Sequence, residues 1–140
     1  MGNSLIIIDS SVLVAYAVTQ DENHERAVRI IESIVKGMFG SAHISDHIFA
    51  ETVTVTLYKS KSLDNAVALG EYLRDATTIL ENDEFDFEST WRLFKNQKTL
   101  KLSFTDCSII SLARRYGIEY IATFDKEFRR IYGLHIIEDA

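Results

Sequence analysis

Residues 102–128 read LSFTDCSIISLARRYGIEYIATFDKEF. Thr105 can cap a helix over residues 106–116, with Ile109, Ile110, Leu112, Ala113 and Tyr116 facing inward. Gly117 is a natural stop for that helix. Tyr120, Ile121 and Ala122 form a short strand, and Asp125 can cap a last short helix that contains Phe128. Helix, strand and helix thus follow one another through short connections, which is the grammar of an α/β fold.

The same alternation continues outward. Leu5-Ile6-Ile7-Ile8 is a continuous apolar run rich in β-branched residues, the signature of a strand buried on both faces. Asp9, Ser10 and Ser11 offer capping side chains to a short helix through Ala17. Asn23 can cap a second helix with a stripe of Ala27, Ile30, Ile31, Ile34, Val35 and Met38, ended by Gly37 and Gly40. Ser41 to Ile44 is a weak second strand, after which Ser45 and Asp46 can cap again. Thr52-Val53-Thr54-Val55-Thr56 alternates like a strand and has the matching local propensity. The uninterrupted segment from His47 to Tyr58 is nevertheless long for a strand and follows a capping pair, so a helix is expected. Ser62 to Arg74 reads as a helix with Leu63, Ala66, Val67, Gly70 and Leu73 on one face. Thr77 to Leu80 is the third strand. A helix follows with Phe87, Trp91 and Phe94 as its apolar face, acids at its start and Arg92, Lys95 and Lys98 towards its end, as the helix dipole favours. Leu134 to Ile137 is the fifth strand. Such an order implies right-handed crossovers and a mostly parallel sheet with helices on both faces.

The chain has 140 residues and reads as one domain, residues 1–140. Fifteen Lys and Arg against twenty-one Asp and Glu leave a net charge of −6, which excludes a broad basic surface but not local basic patches. One cysteine excludes an intrachain disulfide and a Cys-rich zinc site. No signal peptide or membrane span is readable, so a cytoplasmic setting is expected. Gly2 is not followed by the Ser or Thr at position 6 that myristoylation requires; that position is Ile6.

Ligands of parallel sheets bind beyond the carboxyl ends of the strands. Asp9 ends the first strand, Thr123 and Asp125 follow the fourth, and Asp106 opens a helix. Glu51 lies among Ile48, Phe49, Ala50 and Val53. An Asp at a helix start is most often a simple cap, whereas Asp9 directly ends a buried apolar strand. Converging carboxylates repel one another and raise each other's pKa unless a hard cation neutralises them. Oxygen-only ligands indicate Mg²⁺ or Mn²⁺ rather than zinc, and such an ion suits phosphodiester hydrolysis. Competing motifs are missing. There is no Gly-rich nucleotide loop and no Gly-x-Ser-x-Gly elbow, and His43 and His47 have Ile44 where a zinc-protease helix needs Glu.

The segments IIIDSSVLVAY, HIFAETVTVTLYK with its lone Glu51, and the block from Leu102 to Phe128 together resemble a PIN domain. The resemblance implies a three-layer α/β/α fold with a five-stranded parallel sheet of order 3-2-1-4-5. It maps an acidic quartet onto Asp9, Glu51, Asp106 and Asp125, with Ser10 and Thr123 at small hydroxyl positions and Thr105 supporting as the cap. It implies a Mg²⁺- or Mn²⁺-dependent ribonuclease, commonly the toxin half of a VapBC toxin–antitoxin pair, leaving 5′-phosphate and 3′-hydroxyl ends. Asp9, Asp106 and Asp125 would hold the metal, and Glu51 would complete the shell, directly or through water, or orient the nucleophile. RNA would be gripped by local cations, with Lys59, Lys61, Arg92, Lys95, Lys98 and Lys101 as candidates. A homodimer is expected, with Tyr58, Leu69, Tyr72 and Leu73 at its interface, and an antitoxin as a further partner. Two alternatives stand beside this reading: a PIN-like module that binds RNA or protein without cutting, and a phospho-acceptor signalling domain using Asp83.

Overall fold

The computed structural model describes residues 4–140, so Gly2 and the acylation question lie outside the described residues. The elements run β1 (Leu5–Ile8), α1 (Ser10–Ala17), α2 (His24–Val35), β2 (Ser41–Ser45), α3 (Asp46–Ser60), α4 (Leu63–Ala76), β3 (Thr78–Leu80), α5 (Glu84–Lys95), α6 (Phe104–Tyr116), β4 (Tyr120–Ala122), a 3₁₀ turn (Lys126–Arg130) and β5 (His135–Ile137). The strands form one sheet of order β3-β2-β1-β4-β5. Every pairing is parallel.

β1 is central because its sequence leaves it no solvent face. Ile6, Ile7 and Ile8 are all buried, and helices cover both sides. Val12 and Leu13 of α1, Ile30 of α2, and Ile109 and Leu112 of α6 join Ile44 and Ile121 in the same core. The register pairs Ile8 with Ala122, Ser45 with Leu80, and Ala122 with Ile137. The carboxyl ends of the strands therefore lie along one edge. The chain leaves β1 for β2 and β3, then returns to β1's other side with β4, so strand order reverses between β1 and β4. Among the described residues, no helix is long and apolar enough to cross a membrane.

The alternating Thr-Val segment is helical, within α3. Ser45 caps it by accepting from the Ile48 N–H at 3.0 Å, and Lys61, left-handed at φ 56°, ends it. Ile48, Thr52 and Thr56, each one helical turn from the next, are its buried positions, so the strand-like alternation carries no structural meaning here.

Several predicted faces and caps differ from those observed. Phe87, Trp91 and Phe94 are exposed, and α5 instead buries Asp86 and Thr90. The reason is polar. Asp86 closes a capping box with Asp83 and receives Arg115 of α6 at 2.7 Å, which fixes the inward face. Val35 and Tyr116 are the last residues of their helices and Met38 lies in the turn after α2, and all three are exposed. Leu63 and Val67 are exposed in a groove between α3 and α4. Asn23 makes no side-chain cap; its oxygen accepts from Arg26 instead. Ser103, not Thr105, caps α6, because Ser103 and Asp106 form a reciprocal capping box. Leu69 and Leu73 are core residues of the protomer, so they are not available to the interface expected of them, whereas Tyr58 and Tyr72 are exposed.

Gly40 stands where β2 leaves its turn beside the start of β1. Its φ is +86°, and a Cβ there would lie 1.8 Å from the Ser4 carbonyl oxygen. Gly117 is also left-handed, at +68°, but a Cβ there meets nothing within 4 Å. Gly117→Ala should therefore cost about 1 kcal/mol of backbone strain. Gly40→Ala should cost more than about 2 kcal/mol, because the β1–β2 approach must open as well. Urea unfolding of both variants checks this, and equal losses would show that the Ser4 backbone gives way freely.

Candidate functional site

Asp9 is both the residue after β1 and the N-cap of α1. Its backbone N–H donates to the Ala122 carbonyl at 2.9 Å, which continues the β1–β4 ladder to the end of the sheet. Its carboxylate points into the seam between those strands and is 5% exposed. Oδ1 accepts from the Ser10 N–H at 2.8 Å. Oδ2 accepts from the hydroxyls of Thr123, at 2.7 Å, and Ser11, at 3.0 Å. Each hydroxyl is used twice. Thr123 Oγ1 also accepts from the Asp125 N–H at 3.0 Å, and Ser11 Oγ from the Phe124 N–H at 3.1 Å. The Asp9 charge therefore orients the loop that carries Asp125.

The other carboxylates come from three more elements. Glu51 is exposed on α3 and accepts from the Ser10 hydroxyl. Asp106 is half-buried in the first turn of α6, where Oδ2 accepts from the Ser103 N–H at 3.0 Å. Asp125 caps the 3₁₀ turn by accepting from the Glu127 N–H at 3.0 Å. Asp106 and Asp125 are thus caps, as an isolated Asp at a helix start commonly is, but their charges also reach one another.

Burial pushes the Asp9 carboxyl up to about 6. The Thr123, Ser11 and Ser10 hydrogen bonds oppose that rise, and the negative charge of Asp106 adds to it. Asp106 is raised by burial too, against its Ser103 hydrogen bonds, with the charges of Asp125 and Glu51 raising it further. Asp9 therefore feels Asp106, and Asp106 feels Asp125 and Glu51. Among the described residues, no ion pair involves any of the four.

An uncompensated set of oxygen donors fits a hard divalent cation better than zinc. Among the described residues, no group of three or more His, Cys, Asp or Glu side chains is placed to hold a metal ion. Mg²⁺ usually keeps several of its waters, so an open acidic cluster with one or two direct ligands is compatible with it.

Ser10 and Thr123 are where the sequence places them, each bonded to a member of the quartet. Thr105 is not; its carbonyl accepts from Ser108 and its side chain takes no part in the cap. Ser11 is a site residue that sequence reasoning did not single out. Its signal is the second serine after Asp9, in the first turn of the helix that Asp9 caps. Of the candidate cations, Lys59 shares a cleft of about 460 Å³ with Ser10, Ser11, Glu51 and Phe124, and lies 3.9 Å from Asp21. Lys61, Arg92, Lys95, Lys98 and Lys101 are exposed. Asp83, the acceptor that a signalling domain would need, is the N-cap of α5 and lies 3.2 Å from Arg115.

The sequence matches the PIN domain family over residues 6–134. This chain belongs to the PIN domain family. Solved structures with a similar fold include the sarcin–ricin-loop-cleaving toxin VapC20 of Mycobacterium tuberculosis, at 23% identity and a TM-score of 0.78 over 89% of this chain and 92% of that one. VapBC2 of Rickettsia felis, bound to a DNA fragment from its promoter, is 17% identical with a TM-score of 0.71 over 97% and 99% of the two chains. DNA-bound VapBC of Salmonella typhimurium is 17% identical with a TM-score of 0.67 over 96% and 97%. At these identities the likeness is one of fold. No curated protein sequence matches this PIN family chain.

The raised Asp9 carboxyl has a pH consequence with a definite sign. Folding favours the protonated form, so the penalty is absent below pH 4 and grows as pH rises from 3.8 towards 6. For a group this buried, a rise of that size corresponds to about 3 kcal/mol. Asp9→Asn removes the titration. In chelator, the stability of the variant relative to the parent should therefore improve by about 2–3 kcal/mol between pH 4 and pH 7. Paired urea melts across that range test it; a flat difference would mean that the Asp9 charge is accommodated without strain.

Proposed function

We propose that this chain is a metal-dependent endoribonuclease and the toxin of a toxin–antitoxin pair. The observation that carries the reading is the unpaired quartet Asp9, Glu51, Asp106 and Asp125 at the point where strand order reverses, with its most buried member driven up by burial and by its neighbour's charge. Asp9 and Asp106 would hold Mg²⁺ or Mn²⁺ with Asp125, and Glu51 would complete the shell, directly or through water, or orient the attacking water. Such an ion, when bound, lowers the pKa of a water and stabilises charge on phosphoryl oxygens.

The chain's own residues supply position and charge. Three donors hold Asp9 in one orientation, so its oxygens need no reordering when a cation arrives. Ser10 steadies Glu51, which is otherwise exposed on its helix. The Thr123 hydroxyl bonds both the Asp9 carboxylate and the Asp125 backbone N–H, so the backbone that carries Asp125 is held against Asp9. Hydrolysis would leave 5′-phosphate and 3′-hydroxyl ends. The similar folds of VapBC complexes support an antitoxin partner for this chain. The family resemblance supports a homodimer.

The test is a mixed RNA pool with the parent and with Asp106→Asn, each in Mg²⁺, Mn²⁺ and chelator. The parent should cleave only with metal, and the variant should lose at least 100-fold in rate, as expected for a lost electrostatic or metal-holding group. Cleavage that ignores both the metal and the substitution would exclude the quartet as the active centre.

Lys59, on the wall of the cleft beside Glu51, is proposed to touch the RNA backbone. Lys59→Ala should weaken binding while leaving the rate at saturating RNA nearly unchanged. The slope of log affinity against log salt should become shallower by about one unit. An unaltered slope would leave Lys59 as a surface residue near Asp21.

A further inference from the structure

α5 presents to solvent what a core helix would hide. Phe87 is 56% exposed, Trp91 44% and Phe94 36%. The rings are in contact as a continuous set. Trp91 stacks on Phe94 with centroids 6.0 Å apart and planes 19° from parallel. Phe94 and Phe87 each meet Phe104, at 6.2 Å and 5.6 Å. Phe104 in turn meets His47 at 6.5 Å. The set therefore runs from the outside of α5 across the first residue of α6 to the first turn of α3. Phe104 is two residues before Asp106, and His47 is one helical turn before Glu51 on α3.

Beyond Glu88 the charge beside the rings is of one sign, whereas Glu84, Asp86 and Glu88 flank Phe87 at the start of α5. Residues 89–105 contain Arg92, Lys95, Lys98 and Lys101 and no Asp or Glu, in a chain whose net charge is −6. Among the described residues, none of these four cations takes part in an ion pair. Exposed aromatic faces interleaved with free cations are what a single-stranded nucleic acid needs, since bases stack on the rings and phosphates meet the cations. A duplex keeps its bases stacked on one another and cannot use the rings in this way.

We propose that Trp91, Phe94, Phe104 and His47 form a base-stacking platform that leads single-stranded RNA into the carboxylate cleft. The assignment rests on the nuclease reading of that cleft and adds to it the residues on which unpaired bases would stack. A second copy of this chain would also cover an apolar face, and the acids at the start of its α5 could meet the cations at the end of this one, so the oligomeric state is read as a separate arm of the test. The polyanion explains both the rings and the cations.

Trp91 is the only tryptophan in the chain, so its fluorescence reports on the platform directly. The full chain is titrated in chelator with a single-stranded RNA 12-mer, with an abasic strand of the same length and charge, and with duplex RNA. The unpaired base-bearing strand should quench Trp91 and bind roughly tenfold more tightly than the abasic strand. Phe94→Leu, which keeps apolar bulk without a ring, should remove most of that tenfold preference. Equal binding of the base-bearing and abasic strands by the parent overturns the proposal whether or not the variant folds. So does a Phe94→Leu variant that turns a dimer into a monomer, by light scattering, with RNA affinity unchanged; the face would then join two copies. Cleavage by the parent in Mg²⁺ is read separately. Cleavage without quenching removes the platform and leaves the nuclease, and quenching without cleavage does the reverse.

Discussion

One buried negative charge organises the working edge of this molecule. Asp9 cannot leave the seam, because its backbone is the last rung between β1 and β4 and its carboxylate caps α1. Nor can the charge sit there unattended, since a buried ion without partners costs several kcal/mol. The two hydroxyls that answer it, from Ser11 and Thr123, are each held by a backbone N–H of the loop after β4. That loop's path is therefore a consequence of the charge. Strand pairing brings Asp9 and Thr123 together, and the hydrogen bonds then set Asp125. The remaining rise in the Asp9 pKa shows that these donors do not fully compensate the burial. A cation would supply the rest.

The sheet was legible in the sequence because parallel strands covered on both faces leave a plain mark. Leu5 to Ile8 has no polar residue to place in water, and Gly117 marks the end of α6. The carboxylates were legible for a related reason, since parallel topology sends whatever follows a strand to the same edge. Helix orientation was much less so. Counting apolar residues assigned Phe87, Trp91 and Phe94 inward, whereas the inward face of α5 is set by Asp86 and its partner Arg115. That contact lies between residues 29 apart, and no local pattern encodes it. The N-cap of α6 is a milder case. Ser103 and Thr105 both bear hydroxyls, and the choice falls on the one three residues before an acid that can answer it, Asp106. The Thr-Val alternation of α3 shows the opposite hazard, a local preference for strand overruled by a cap at Ser45 and by core space for Thr52 and Thr56.

The inverted α5 also decides where the molecule yields first. A helix gains most of its stability from the apolar face it buries, and here much of that face is in water while Asp86 keeps one oxygen buried without a partner. α5 is held to α6 by directional contacts, Asp86 with Arg115 and Ser111 with Ser89, and by Phe87 and Phe94 packing on Phe104. The directional contacts are lost over short separations, and α5 lies outside the buried sheet that holds β1, β4 and the Asp9 seam. Its amide protons should exchange with solvent well ahead of those in the central strands. The sheet edge holds Asp9, and the helix outside it carries the exposed aromatic face.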